Sequence, residues 1–364
     1  KVILDDYCFL TPDDARWQQF LNESPHDFYH FPKYVTLCGN HQCGKPLAFF
    51  SVLGNQKLLM PLLLQEFHPP NSSTGMILDA TCAYGYPCPL FNNSDIDSFA
   101  AKEFLTRSFA SMLRLLNDIG VVSAFFRLHP LFKAPLDLLQ TYGTIIPHGQ
   151  TVYIDLSNSS DEMWQQTRSG HRNEINSLKR KGHKVEFDSD WSQLDEFIKA
   201  YSENMRRIGA DDNYFFPKTY FEELRRALGS RIHLCTVSID NQIACAGIFT
   251  ESCGIVQYHL SGTKDAFYKQ YPTKLMLDFV RNWAKERGNK FFHLGGGLGA
   301  QEDSLFYFKS GFSGLRSTFY TWRIIVNELA YQKEVASWEE MSKCVADSYA
   351  GYFPAYRKKL LVKV

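Results

Sequence analysis

The residues with the clearest chemical potential stand together in KFFHLGGGLGAQEDSLFYFKSGFS, residues 290–313. An apolar run ends in Gly295, Gly296 and Gly297, which let a ligand or a second backbone come close because no Cβ stands in the way. A short amphipathic helix then carries one cation, Lys309, among aromatic residues. Such a lysine either lays its stem on apolar surface with its head in water or aims its charge at an anion. Helical spacing sets Glu302, Phe306 and Lys309 on one face and Leu305, Phe308 and Phe312 on a core-like other. Asp303 suits the first turn, where an acid favours the helix dipole.

A second group lies on YHLSGT, residues 258–263. Strand alternation sets Tyr258 and Leu260 against His259 and Ser261, so one pair faces a cleft and the other the core. His259 has the chemistry of a general base near neutral pH, or is a hydrogen-bonded histidine of no catalytic role. Ser261 and Thr263 are polar contacts available at the strand's end. The third group is the only strongly basic segment: residues 168–184 hold six Lys/Arg and one acid, Glu174. Arg172 and its neighbours either form a solvated helix face or bind phosphates, from a nucleotide-linked sugar or from tRNA.

These groups must be held by ordinary globular structure. The 364 residues suit two domains, and 45% apolar with 15% aromatic content supports well-filled cores. No run approaches the roughly 18 apolar residues of a spanning helix. KVILDDYC lacks the charged and apolar regions of a secretory signal, which points to the cytoplasm. The nine cysteines are odd in number and give no disulfide framework; Cys38, His41 and Cys43 have no matching second pair, so no metal is expected. Zero net charge provides no general field toward DNA or membrane. G-x-S-x-G, Walker, H-E-x-x-H and dinucleotide fingerprints are absent from the sequence.

The C-terminal half reads as strand HKVEF, helices WSQLDEFIKAYSENMRRIG and PKTYFEELRRALG, and strands RIHLCTVSI, QIACAGIFT and GIVQYHLSGT. A helix from Pro272 to Arg287, the strand KFFHLGG, the helix EDSLFYFKSGF and the strand STFYTWRIIV complete it. The N-terminal half repeats this order: helices near 12–22 and 31–38, strands PLAFFSVL, QKLLMPLLLQEF and GMILDA, a helix over 95–119, then VVSAFFRLHP, APLDLLQTYG and TVYIDLS. Boundaries are expected at 1–150 and 151–330, with a helical, basic extension over 331–364 ending in KKLLVKV.

The order β-α-α-β-β-β-α-β-α-β, twice, resembles the tandem GNAT fold of the FemABX-like acyltransferases, a mixed α/β (α+β) architecture. The stretches that carry the resemblance are RSGHRNEINSLKRKGHKVEF (168–187), YHLSGT with its following helix, and HLGGGLGAQEDSLFYFKSGFS. It implies an N-acyltransferase that moves an acyl or aminoacyl group to an amine of a cell-envelope precursor: an amino sugar, a nucleotide sugar or a lipid-linked glycan of polysaccharide biosynthesis. The donor implied is acyl-CoA, such as acetyl-CoA, or aminoacyl-tRNA. By the same resemblance Lys309 contacts the donor's phosphate or acyl carbonyl, and the three glycines admit a substrate chain. The start of the helix at Pro272 and Thr273 meets the donor's pyrophosphate. SGTKDAFYKQYPTK has no glycine-rich phosphate loop there, and Lys269 and Lys274 are the substitutes at hand. Two alternatives stand beside this reading: a non-catalytic binding or assembly protein on the same fold, and a tRNA-dependent transferase of the peptidoglycan-bridge type. The chain lacks the charged heptads of the helical arm that bridge-forming members often carry.

Overall fold

The computed structural model describes residues 5–70, 75–87, 89–347 and 351–359. The chain divides into two compact units, residues 1–148 with 319–364, and residues 149–318.

The first unit begins with β1 (Asp6–Leu10), α1 (Ala15–Glu23), α2 (Pro32–Gln42), β2 (Gly44–Leu53), β3 (Gln56–Phe67) and β4 (Ile77–Thr81). The two-residue β5 (Leu90–Phe91), α3 (Phe99–Asp118), β6 (Val121–Arg127), α4 (Leu136–Gln140) and β7 (Thr144–Asp155) follow. Local chemistry sets these limits. Pro32 opens α2, whose first N–H needs no partner, and Ser98 caps α3 by accepting from the Ala101 N–H. Strands β1 to β4 run antiparallel in sequence order, and β4 then pairs parallel with β6 through the α3 crossover.

The second unit holds α5 (Ser160–Gln166), α6 (Ser169–Arg180), β8 (Lys184–Phe187), α7 (Leu194–Arg207) and α8 (Lys218–Leu228). Then come β9 (Ile232–Ile239), β10 (Gln242–Ser252), β11 (Ile255–Thr263), α9 (Pro272–Glu286), β12 (Phe291–Gly295), α10 (Ser304–Ser310) and β13 (Arg316–Ile325). Asp240 and Asn241, at φ 48° and 62°, make the left-handed turn that joins β9 to β10. Strands β8 to β11 are antiparallel; β11 and β12 are parallel through the α9 crossover, and β12 pairs antiparallel with β7. The same order of elements, with one parallel pair in each, recurs in both units.

Two features differ from the sequence reading. The last strand of each repeat leaves its own half: β7 pairs with β12 over residues 152–155, and β13 pairs with β6 over residues 321–325. Residues 319–330 therefore lie with the first unit. The segment after 330 is built into that unit's core. On α11 (Glu328–Ser342), Tyr331, Val335 and Trp338 pack with Ile77, Val122, Phe353 and Tyr356. The buried Asp79 carboxylate accepts from Ser123 Oγ at 3.1 Å and Arg357 Nε at 2.6 Å, and from the Tyr356 hydroxyl. Of the tail KKLLVKV, residues 360–364 lie outside the described residues.

Candidate active site

The ladder between β11 and β12 has three registered pairs, Ile255–Phe291, Val256–Phe292 and Gln257–His293. At its last rung His293 Nδ1 donates to Gln257 Oε1 at 2.7 Å. Beyond it β11 stays bonded to β10 as far as Thr263, while β12 stays bonded to β7 at Gly295. Each strand follows its outer neighbour, so a wedge opens between residues 258–263 and residues 294–297. A β-bulge deepens it: Leu260 faces Ile248 but Tyr258 faces Phe249, leaving His259 as the additional residue. The bulge breaks strand alternation and corrects the expected faces. Tyr258 and Ser261, opposite by period two, are joined by a hydrogen bond between their hydroxyls.

Lys309 enters this wedge from α10. Its side chain is buried, 8% exposed, and Nζ donates to the Gly296 carbonyl at 2.7 Å. Nζ also stands 5.7 Å from the centroid of the Tyr258 ring, which stacks on Phe249. Burial pushes the ammonium down to about 8, and the Asp303 carboxylate pulls the other way. Burial also raises the Tyr258 phenol, so that group is neutral near pH 7. Lys309 is thus not a surface lysine with its head in water.

The glycines make room for it. Gly295 has φ +78°, and a Cβ there would come within 3.3 Å of Lys309 Nζ. A Cβ on Gly297 would lie 2.0 Å from the Gln301 carbonyl oxygen and 2.2 Å from Asp303 Oδ1. Asp303 ties the glycine loop to α10: its carboxylate accepts from the Leu298 N–H and from the Phe306 N–H, each at 2.9 Å. Glu302 precedes the helix and is exposed. Phe306, expected beside Lys309 and apart from the core, packs with Phe308 against the unit's core, and the Arg316 guanidinium lies 5.3 Å from its ring.

A second cluster forms where β11 meets α9. Thr263 Oγ1 and Thr273 Oγ1 are hydrogen-bonded at 2.9 Å. Lys274 is buried, ion-paired with Glu174 of α6, and lies 4.5 Å from the Tyr271 ring centroid. Lys269 is exposed on the turn Asp265–Gln270. Arg172 is half-buried on α6, with its guanidinium 3.5 Å from the Gln165 carbonyl. Among the described residues, Lys269 and Arg172 share no hydrogen bond or ion pair with either cluster.

Sequence reasoning missed Arg168 and His171, which hold α10 from the side of α6, and Gly311 at the end of α10, which leaves room for the His171 ring. The Arg168 guanidinium lies 3.8 Å from the ring centroid of exposed Tyr307, and His171 Nε2 bonds the Phe308 carbonyl at 2.8 Å. The glycine in KSGF was the available signal, because a glycine in a helical turn often marks a close approach. Two further exposed tyrosines carry cations on their faces: Tyr268 with Arg207 at 4.4 Å, and Tyr271 with Lys274. Among the described residues, no cluster of three His, Cys, Asp or Glu is placed to hold a metal, and no helix is long and apolar enough to cross a membrane.

Residues 165–309 match the family model of an acetyltransferase (GNAT) domain, a span that ends on Lys309 itself. The crystal structure of FemX superposes with a TM-score of 0.69 over 90% of this chain and 99% of that one, at 14% identity. The structure of L-PGS from Bacillus licheniformis gives 0.54 over 89% and 95%, at 15% identity. The C-terminal domain of a putative lysylphosphatidylglycerol synthetase from Agrobacterium fabrum gives 0.54 over 88% and 93%, at 12% identity. At such identities the likeness shows a shared fold. No curated protein matches the chain in sequence.

Proposed function

We propose that the chain is a FemABX-like acyltransferase of tandem GNAT fold, and that it moves an acyl or aminoacyl group onto an amine of a cell-envelope precursor. The acceptor classes are an amino sugar, a nucleotide sugar and a lipid-linked glycan. The observation that carries the reading is one buried ammonium, Lys309, in a wedge between two parallel strands, held only 2.7 Å from a backbone carbonyl. An acyl oxygen that takes the place of the Gly296 carbonyl would meet the same charge.

In acyl transfer the amine nitrogen attacks the carbonyl carbon, and negative charge grows on the carbonyl oxygen. Lys309 stabilises that oxygen, in a dry setting where a fixed charge acts more strongly than in water. A C–N bond forms and the C–S or C–O bond to the donor breaks. The nitrogen gives up one proton, to His259 or to the substrate itself, and the leaving sulfur or oxygen gains one. Tyr258, Ser261 and the three glycines line the substrate's path, Arg172 holds acceptor phosphate, and Asp303 secures the loop.

The residues fit a donor that enters as an extended arm along the open edge of β11. Its phosphates would lie at the start of α9, near Thr273 and Lys274, with Lys269 outside. That turn is not a glycine cradle. Tyr271 is left-handed at φ 54°, Pro272 follows it, and the Lys274 N–H already donates to the Tyr271 carbonyl. Three exposed tyrosines with cations on their faces are stacking platforms for nucleobases, a feature that suits a donor ending in a nucleotide. Acyl-CoA and aminoacyl-tRNA both do. Helices α7 and α8 are short, 14 and 11 residues, and form no long arm of the bridge-forming kind.

Lys309→Ala in a folded protein tests the reading, with loss of at least about a hundredfold in turnover expected. Unchanged turnover would remove Lys309 as the catalytic group, and a wild type without turnover on either donor would favour a binding or assembly role. Because the ammonium form is the active one, turnover should fall as pH rises through about 8. Thermal-shift titrations separate the donors: stabilisation by acetyl-CoA supports the thioester, and tRNA binding that weakens steeply with salt supports the ester.

A further inference from the structure

The last carbonyls of α10 lack i+4 partners, as in any α-helix, and the Gly311 N–H reaches back to the Phe308 carbonyl at 3.1 Å. Three backbone carbonyls at this end are met from one place, the start of α6. Arg168 Nη1 donates to the Tyr307 oxygen at 3.1 Å, His171 Nε2 to the Phe308 oxygen at 2.8 Å, and the Arg168 N–H to the Gly311 oxygen at 2.7 Å. The His171 ring is buried, edge-on to Phe312 with centroids 5.0 Å apart and tilted against Phe308 at 5.6 Å. Gly311 has an ordinary helical φ of −68°, so backbone strain does not demand glycine there. Space does: a Cβ would lie 2.2 Å from His171 Nε2.

The Phe308 carbonyl belongs to the peptide that leads into Lys309. We propose that His171 is a positioning residue for Lys309: by holding that carbonyl, it fixes the end of α10 from which the ammonium reaches Gly296. Arg168 shares the task through the carbonyls on either side. The proposal rests on Lys309 being the catalytic group. The groups that bear on the two side chains are few. Lys309 faces Asp303 from its own helix and Tyr258 from β11; His171 faces Arg168 and Glu174 from α6 and Lys274 from α9. Burial, with Lys274 and Arg168, lowers the His171 imidazole. Near pH 7 it is neutral, and its one ring proton sits on Nε2, where the Phe308 oxygen needs it.

His171→Leu keeps the bulk and removes the donor; His171→Gln keeps an N–H at similar reach. Competitive labelling with acetic anhydride, read on the peptide that holds Lys309, gives the lysine's titration midpoint without any substrate. The wild type should titrate near pH 8. In His171→Leu the loosened α10 lets water reach the ammonium, and the midpoint should rise by about one unit or more. Turnover should fall about tenfold or more with KM within about threefold, and His171→Gln should restore both. Arg168→Gln, on the more exposed side, should shift the midpoint the same way by less and covers the case in which His171→Leu fails to fold. An unmoved midpoint in folded His171→Leu, or a glutamine variant as impaired as leucine, would overturn the proposal. If Lys309→Ala remains active, the catalytic reading falls while the labelling result still decides whether α6 positions the lysine.

Discussion

A buried ammonium costs stability, and Lys309→Met should expose that cost as a dependence on pH. The folded protein holds Lys309 at about 8 against 10.5 for a free side chain. At about 1.36 kcal/mol per unit, that difference destabilises the fold by about 3 kcal/mol at pH 7. Methionine fills nearly the same space without charge but leaves the Gly296 carbonyl without its donor, a loss of about 1–2 kcal/mol. The variant should therefore be more stable than wild type by about 1–2 kcal/mol at pH 7. The sign with pH follows from the proton count. Between about 8 and 10.5 the unfolded chain holds a proton that the folded one has released, so wild-type stability rises with pH and the penalty fades. The gap between variant and wild type should shrink by about 2–3 kcal/mol from pH 7 to pH 10, and its sign should reverse near the upper end. Paired urea denaturation curves at each pH measure it. A gap that stays constant over this range would refute the reasoning, because an exposed or neutral lysine carries no such term.

Two other perturbations have definite outcomes. Asp303→Ala removes the acceptor for the Leu298 and Phe306 N–H groups and should cost about 1–2 kcal/mol as a lost cap. Because Asp303 also supports the ammonium of Lys309, the alkaline limb of the turnover profile should move to lower pH; movement upward would contradict the geometry. Asp79→Ala leaves Arg357 and Tyr356 without their shared acceptor and should cost about 3 kcal/mol in urea denaturation.

Much of the fold was legible in the sequence because its elements are locally consistent. The turn residues Asp240 and Asn241, the proline that opens α9 and the apolar run of β12 each announce themselves. What the sequence withheld depends on distant partners. Strand β13 follows the second repeat without a break, and nothing in its residues says that residues 321–325 pair with β6. Periodicity set Lys309 on a face with Glu302, because a helical wheel cannot register that the glycine loop opposite has no side chains to exclude it. The bulge at His259 likewise undoes an alternation that looked regular. The basic segment drew attention to Arg172 for its charge, whereas Arg168 and His171 bond α10 through groups that charge counting ignores.

The two crossing strands also bear on how the protein is made. Residues 149–318 are contiguous, so one unit has all its parts once residue 318 has left the ribosome. The other begins first in sequence, yet the edge of β6 and the apolar patch around Ile77 and Val122 stay uncovered until β13 and α11 are synthesised. Vectorial synthesis therefore completes the units in reverse of their order of appearance. A chain cut after residue 318 keeps every element of the wedge and lacks the strand that pairs with β6. Truncation at that point would harm the N-terminal unit, although every residue removed lies at the opposite end of the sequence.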